Sequence, residues 1–261
     1  MIAVILAGGK GTRLKPFTMT IPKPLLPLGE VPIIEVVIRQ LANAGISDIR
    51  LTLGHMGHLF TGFLDNSPDW GVDIKYCVER TPLGTAGPLR LVEGDDDTFL
   101  VMNGDLLTTI DYHELLETHR RRKAWATIAV HKRQVHIDYG VITIGPNGEL
   151  QDYSEKPTID YNVSMGINVL SKECLEFIPP GQRFDMPDLL LAIRNAGKPV
   201  ACYQTDCYWQ DIGRFEDYQQ ASEDFVQNPD RFLSIVGDRN ENGLDHGGKR
   251  VLRRPSRPAA A

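Results

Sequence analysis

Two cations ten residues apart, Arg13 and Lys23, lie in the stretch LAGGKGTRLKPFTMTIPKPLLPLG, Leu6 to Gly29. Ahead of Arg13 stand Gly8, Gly9 and Gly11, three glycines within four positions. Glycines let backbone N–H groups come close to an anion, and successive N–H groups form a concave nest. A guanidinium grips two oxygens with a planar fork, whereas an ammonium acts as a point charge. Pro22 and Pro24 stiffen the chain on either side of Lys23 and limit the entropy it loses on binding. Lys10 and Lys15 add charge nearby, and solvation explains them equally well. Residue types and spacing together point to phosphate handling. Two common phosphate patterns are excluded. Gly9-x-Gly11-x-x-Leu14 lacks the third glycine of the dinucleotide fingerprint, and the next strand ends at Gly54-His55 with no acid for a ribose. The Walker A pattern needs Gly-Lys-Ser/Thr after four spacers, which Gly9-Lys10-Gly11 does not supply.

The elements that must position these groups follow from periodicity. Ile2–Leu6 is an all-apolar run, the pattern of a strand buried on both faces. Pro32–Ala44 reads as a helix with a stripe of Ile33, Val36, Val37 and Leu41, stopped by Gly45. Strands are predicted at Asp48–Leu53, Asp73–Val78, Thr98–Met102 and Trp125–His131. Helical segments are predicted at His58–Leu64, at Gly87–Val92 and from the capping-box-like Asp111-x-x-Glu114 to Arg122. This alternation implies a largely parallel sheet with helices on both faces. Asp105 then falls at the carboxyl end of a buried strand, where open α/β sheets bind ligands. A turn or cap aspartate is the bland alternative.

The rhythm changes in the second half. Tyr139–Ile144 and Glu149–Ser154 flank Pro146-Asn147-Gly148, a hairpin signal. Val163–Leu170 and Val200–Gln204 read as strands, Ser171 as the cap of a short helix, and Pro187–Ala196 and Arg214–Val226 as helices. Residues 1–236 are expected to form one catalytic unit and 237–261 a disordered basic tail. From Asp238 onward the chain carries +3, so the body carries −9 of the net −6. A body this acidic does not suggest nucleic-acid binding. No run approaches the ~20 apolar residues of a membrane span, and no signal peptide is visible, so a cytoplasmic protein is expected. Cys77, Cys174, Cys202 and Cys207 show no C-x-x-C pair, and the seven histidines show no metal-ligand spacing. Oligomeric state is left open, a homo-oligomer included.

The wider stretch resembles the signature of sugar-1-phosphate nucleotidylyltransferases. The GG-x-GTRL-x-P-x-T and PKPL-x-P blocks both occur at the right spacing. The resemblance continues through LGTAGPL (83–89), NGD (103–105), YGV (139–141), SEKP (154–157), MGINVL (165–170) and WQDIG (209–213). It covers about residues 1–225 and is nearest in look to the mannose-1-phosphate guanylyltransferases. The fold it implies is a Rossmann-like three-layer αβα sandwich. A mostly parallel, mixed central sheet would carry an added α+β sugar-binding part.

The resemblance also implies roles. Arg13 grips the triphosphate and supports the leaving pyrophosphate, and Lys23 holds the α-phosphate region. Asp105 completes the catalytic set and, with Asp211, binds Mg²⁺. Leu6, Ala7, Gly8, Gly9, Gly11 and Thr12 border the nucleotide, and Gly84 and Thr85 lie against its base. Gly140, Glu155, Lys156 and Asn168 line the sugar-phosphate side. The partners implied are a nucleoside triphosphate, GTP favoured, and mannose-, heptose- or a related hexose-1-phosphate. Uridylyl or thymidylyl transfer to glucose-1-phosphate or a similar sugar phosphate is the alternative. A non-catalytic nucleotide-sugar sensor, or transfer to a non-sugar phosphate such as phosphocholine, are further rivals. The chain departs from the family at Gly213-Arg214, where relatives often have Gly-Thr; this bears on access near the site.

Overall fold

The computed structural model describes residues 1–233. The expected basic tail and the domain boundary at 236 lie outside the described residues. In chain order the strands and helices are β1 (Ile2–Leu6), β2 (Pro27–Leu28), β3 (Val31–Pro32), α1 (Ile33–Asn43), β4 (Asp48–Leu53), α2 (Gly57–Leu64) and β5 (Asp73–Val78). Then come β6 (Thr98–Asn103), β7 (Leu106–Thr108), α3 (Tyr112–Arg122), β8 (Ala126–His136), β9 (Val141–Ile144), β10 (Leu150–Ser154) and β11 (Thr158–Ser171). The chain continues with α4 (Met186–Asn195), β12 (Val200–Thr205), β13 (Trp209–Asp211), α5 (Phe215–Gln227) and α6 (Asp230–Leu233).

Seven strands form the central sheet in the order β12-β8-β11-β6-β1-β4-β5. All run parallel except β11, which is antiparallel to both β6 and β8. Alternation along β1 explains the three layers. Ala3 and Ile5 face a core shared with α1, α2 and α3, while Ile2 and Val4 face a second core shared with α4. Both sides of β1 are dry, so the strand is an uninterrupted apolar run. A third, smaller core gathers Leu14, Leu26, Leu107, Ile212 and Phe225 beneath the glycine-rich stretch.

Most predicted elements fall where expected, with informative exceptions. Strands β8 and β11 run well past the predicted ends, pairing from Thr158↔His136 to Ser164↔Val130 as a polar, largely exposed ribbon. Ser171 does not cap the helical turn after it. Its hydroxyl meets His119 Nε2 and the Ala124 carbonyl, both at 3.3 Å. Asp111 does cap α3, accepting from the Glu114 N–H at 3.0 Å, but Glu114 is drawn away to the Tyr203 hydroxyl at 2.7 Å. The segment 87–92 is a 3₁₀ turn at Gly87–Leu91, too short to be an α-helix. The two-residue pair β2/β3 and the three-residue pair β7/β13 carry no usable alternation, and sequence reading did not find them.

Candidate active site

The chain runs from β1 outward to β4 and β5, then returns to β6 on the other side of β1. That reversal opens a crevice at the carboxyl ends of the strands, the place where open α/β sheets bind ligands. A cavity of about 910 Å³ sits there. Leu6, Ala7, Gly8, Gly9, Gly11 and Thr12 line it, as do Arg13, Lys23, Gly84, Thr85 and Asp105. Eleven of the predicted residues therefore share one wall. Gly140, Glu155, Lys156, Asn168 and Asp211 are not part of that lining.

Three short 3₁₀ turns, Thr12–Leu14, Phe17–Met19 and Lys23–Leu25, fold the glycine-rich stretch back on itself. Gly11 is in the left-handed region, with φ 59°. A Cβ there would lie 2.9 Å from Thr18 Cγ2 and 3.3 Å from Lys23 Cβ. The Thr18 hydroxyl donates to the Gly11 carbonyl at 2.7 Å, which closes the loop and brings Lys23 beneath it. Gly9 is different. A Cβ there would touch nothing within 4 Å, so packing does not require glycine, and the open space belongs to the cavity.

Lys23 is only 7% exposed and forms an ion pair with Asp105 Oδ2. The other carboxylate oxygen of Asp105 is buried and has no hydrogen-bond partner. Such an atom is costly unless something polar meets it. The β7/β13 pair accounts for the second carboxylate. Asp211 pairs with Leu106, and the Ile212 N–H donates to the Asp105 carbonyl at 3.2 Å. Burial pushes the Asp211 carboxyl pKa up, and the Asp105 charge pushes it further; Lys23 and Arg13 pull it down. Asp211 thus lies in the electrostatic field of all three groups. Arg13 lies over Gly213, where a Cβ would approach its Nη1 to 3.2 Å. The turn between is held by Asp217, which accepts from the Arg214 N–H at 2.8 Å and from Gln210 Nε2 at 3.0 Å.

Among the described residues no group of three or more His, Cys, Asp or Glu forms a metal cage. The pair Asp105 and Asp211, one with an orphaned oxygen, instead fits the pattern of a divalent cation shared between two carboxylates and a substrate. The cavity wall is more positive than the chain as a whole. Lys10, Arg80 and Arg183 join Arg13 and Lys23, against the acids Glu79, Asp105 and Asp185. This suits an anionic ligand drawn to a protein of net charge −6.

Several wall residues were missed from sequence: Thr52, His55, Glu79, Arg80, Arg183 and Asp185. Thr52, His55 and Glu79 sit at the ends of β4 and β5, the same strand-end rule that singled out Asp105 and that could have found them. Glu79 Oε2 accepts from the Leu83 N–H at 2.8 Å. Its Oε1 hangs over Gly8, where a Cβ would come within 2.5 Å. Burial raises the Glu79 pKa, and the Leu83 N–H opposes the rise.

The predicted sugar-side residues form two separate groups. Gly140 and Glu155 meet at the root of the β9/β10 hairpin: a Cβ on Gly140 would lie 3.2 Å from Glu155 Oε2, and Tyr153 donates to that oxygen at 2.9 Å. Lys156 follows with φ 45° and is exposed. Asn168 is 3% exposed in the middle of β11, and its Oδ1 has no partner.

Fold and site together define a nucleotide-handling α/β protein whose cavity gathers cations, bare glycines and paired carboxylates. The chain belongs to the nucleotidyl transferase family, whose model matches residues 2–228. It is 31% identical over 257 residues to the UTP–glucose-1-phosphate uridylyltransferase of Synechocystis, covering 91% of this chain and 66% of that protein. It is 34% identical over 227 residues to the mannose-1-phosphate guanyltransferase of Schizosaccharomyces pombe, covering 84% of this chain and 62% of that one. The chain thus spans just under two thirds of the length of these curated relatives. Among solved structures, HddC from Yersinia pseudotuberculosis complexed with GMP-PN superposes with a TM-score of 0.65 at 26% identity, covering 86% of this chain and 99% of that one. No helix of the described residues is long and apolar enough to cross a membrane.

Proposed function

We propose that the protein transfers a nucleotidyl group from a nucleoside triphosphate, GTP favoured, to a sugar-1-phosphate. An oxygen of the sugar phosphate attacks the α-phosphorus in line, the bond to the bridging oxygen breaks, and pyrophosphate leaves. Both reactants are anions, so their repulsion must be cancelled before they meet. Positioning and charge neutralisation then carry the rate, as in phosphoryl transfer generally. The observation that carries this reading is the shared wall of Arg13, Lys23 and Asp105 beside the glycine turn, with Asp211 in their field. Arg13 holds the triphosphate and takes up charge on the leaving pyrophosphate. Lys23 neutralises the α-phosphate region. Mg²⁺ held between Asp105 and Asp211 would supply further neutralisation at the α-phosphate. Glu155 accepts from sugar hydroxyls, Lys156 meets the sugar phosphate, and Gly140 and Asn168 complete that side.

Glu79 and Gly84 favour guanine. Glu79 Oε1 accepts from no described donor, and the Gly84 N–H has no partner among the described residues. Guanine offers O6 to an N–H, and N1–H with the 2-amino group to a carboxylate. Uracil and thymine offer O4 and N3–H to the same pair, but where guanine turns its 2-amino group toward the carboxylate they turn an acceptor, O2, which costs affinity. The similarity to HddC bound to GMP-PN supports this reading; the Synechocystis relative supports the uridylyl alternative. Heptose-1-phosphate and mannose-1-phosphate are the acceptors to try first. The test is pyrophosphate release with GTP, UTP and dTTP across a panel of sugar-1-phosphates. Wild type is expected to prefer GTP, and Glu79→Gln to lose about 10–100-fold in kcat/KM for GTP, the worth of a charge-assisted hydrogen bond. Equal or better turnover with UTP or dTTP in the wild type refutes the guanylyl assignment.

A further inference from the structure

The loop 83–87 on the cavity wall is fastened to a segment a hundred residues away. Asp185 is the N-cap residue of α4, yet its carboxylate makes no bond to its own helix. Instead its Oδ1 accepts from the Thr85 N–H at 3.0 Å. The helix end is met from outside by Thr85, whose hydroxyl accepts from the Met186 N–H, the first amide of α4, at 2.7 Å. Thr85 and the start of α4 thus exchange hydrogen bonds in both directions. Around them the Ala86 and Gly87 N–H groups donate to the Phe184 carbonyl at 2.9 and 3.0 Å, and the Phe184 N–H donates to the Leu83 carbonyl at 2.8 Å. Arg183 holds the other oxygen of Asp185 at 3.2 Å. Space at the junction is tight. Gly84 has φ 83°, and a Cβ there would lie 2.6 Å from both Asp185 Oδ1 and the Phe184 carbonyl oxygen.

The consequence is a single unspent amide. The Leu83 N–H goes to Glu79, the Thr85 N–H to Asp185, and the Ala86 and Gly87 N–H groups to Phe184. Among the described residues only the Gly84 N–H in this loop has no partner, and the bonds on both sides fix the peptide that carries it. We propose that Asp185, through this exchange with Thr85, is a positioning residue for base discrimination: it sets the Gly84 N–H at a fixed place relative to the Glu79 carboxylate. A donor and an acceptor at fixed separation pin the C=O and N–H that guanine, uracil and thymine share, and so force the next group, the 2-amino of guanine or O2 of the pyrimidines, toward the carboxylate. A loop free to turn would satisfy several patterns equally. Asp185 acts here through Thr85, both of its oxygens being bonded already, to the Thr85 N–H and to Arg183.

This inference rests on the nucleotidyl-transfer reading, so the test separates the two. Pyrophosphate release by the wild type with GTP, UTP and dTTP comes first. Asp185→Ala is then expected to lower the GTP-to-UTP ratio of kcat/KM by about tenfold, the loss of roughly one hydrogen bond's worth of discrimination. The loss should lie in the KM for nucleotide, with the KM for sugar-1-phosphate within about twofold. Asp185→Asn keeps an Oδ1 acceptor and should recover most of the discrimination. Thr85→Val, which removes the trans cap, should move in the same direction as Asp185→Ala, and Thr85→Ser should reverse it. Amide hydrogen exchange adds a readout independent of turnover and serves if Asp185→Ala is poorly folded. Residues 85–87 should exchange faster in Thr85→Val than in wild type. An unchanged base ratio in Asp185→Ala, or unchanged exchange at 85–87 in Thr85→Val, overturns the inference. So does a wild type that turns over all three triphosphates equally, while leaving nucleotidyl transfer intact. A wild type that releases no pyrophosphate with any triphosphate takes both readings down.

Discussion

In the half of the molecule that carries Arg13, Lys23, Asp105 and Asp211, each functional side chain adjoins a residue sunk in a core. Leu14 is 2% exposed and Ile212 0%. Leu106 and Leu107 follow Asp105 into two different cores. In the arm that carries Gly140, Glu155 and Lys156, the supporting residues face water: Ile144 is 70% exposed and Leu150 65%. A two-stranded hairpin has little stability of its own. Burial therefore builds the proposed phosphate side in advance, whereas on the proposed sugar side only Asn168 is buried in the sheet and Gly140, Glu155 and Lys156 sit on an arm with few constraints. Neutralising charge needs groups fixed before the reactants arrive, and the groups proposed for it, Arg13, Lys23, Asp105 and Asp211, each adjoin a buried residue.

Arg13→Ala should sharpen this contrast most. Arg13 is exposed, so its loss should leave the thermal midpoint unchanged. It should cost about 10²–10³ in kcat, the usual worth of one preorganised group facing developing charge. A fall of less than threefold in pyrophosphate release would break the contrast. Paired truncations test the scaffold next. Ile212→Ala should cost about 2–5 kcal/mol in denaturant unfolding, the range for emptying a buried aliphatic site. Ile144→Ala on the arm should change stability by less than about 0.5 kcal/mol, as surface changes do. Equal costs would show that the arm is packed after all. A smaller effect on catalysis than that of Arg13→Ala is expected from Glu155→Ala. It should raise the KM for sugar-1-phosphate about tenfold or more, the cost of a lost hydrogen bond to a charged group, and leave the nucleotide KM alone. A nucleotide KM that rises in step would place Glu155 in the wrong half, and an unmoved sugar-phosphate KM would favour a non-sugar acceptor.

Legibility followed the same divide. The apolar run of β1, the stripe of α1 and the limits of β4 were readable because burial demands apolar residues there, whereas β5, which has no buried residue, was readable from its alternation of exposed and half-buried positions. The glycines and Arg13 stood out because a bare backbone nest and a forked cation at that spacing are what phosphate binding would need, and the structure sets them on one cavity wall. The pairing of Asp105 with Asp211 was not readable from the residues. It depends on β7 and β13, three residues each, joined across about a hundred positions, and only the family resemblance brought the two together. Glu79 and Asp185 stayed hidden for another reason: a lone acid after a strand or before a helix looks like any cap or surface charge. The polar ends of β8 and β11 looked like loops because an exposed ribbon has no dry face to enforce alternation.

The proposed transfer requires opposite charges to meet at one place, and the two carboxylates test it most directly. Pyrophosphate release should be measured with GTP, a sugar-1-phosphate and Mg²⁺ for wild type, Asp105→Asn and Asp211→Asn, with far-ultraviolet circular dichroism as the check on folding. The expected result is robust release by the wild type and a loss of about 10²-fold or more in each folded variant. Wild-type rates in both variants would contradict it.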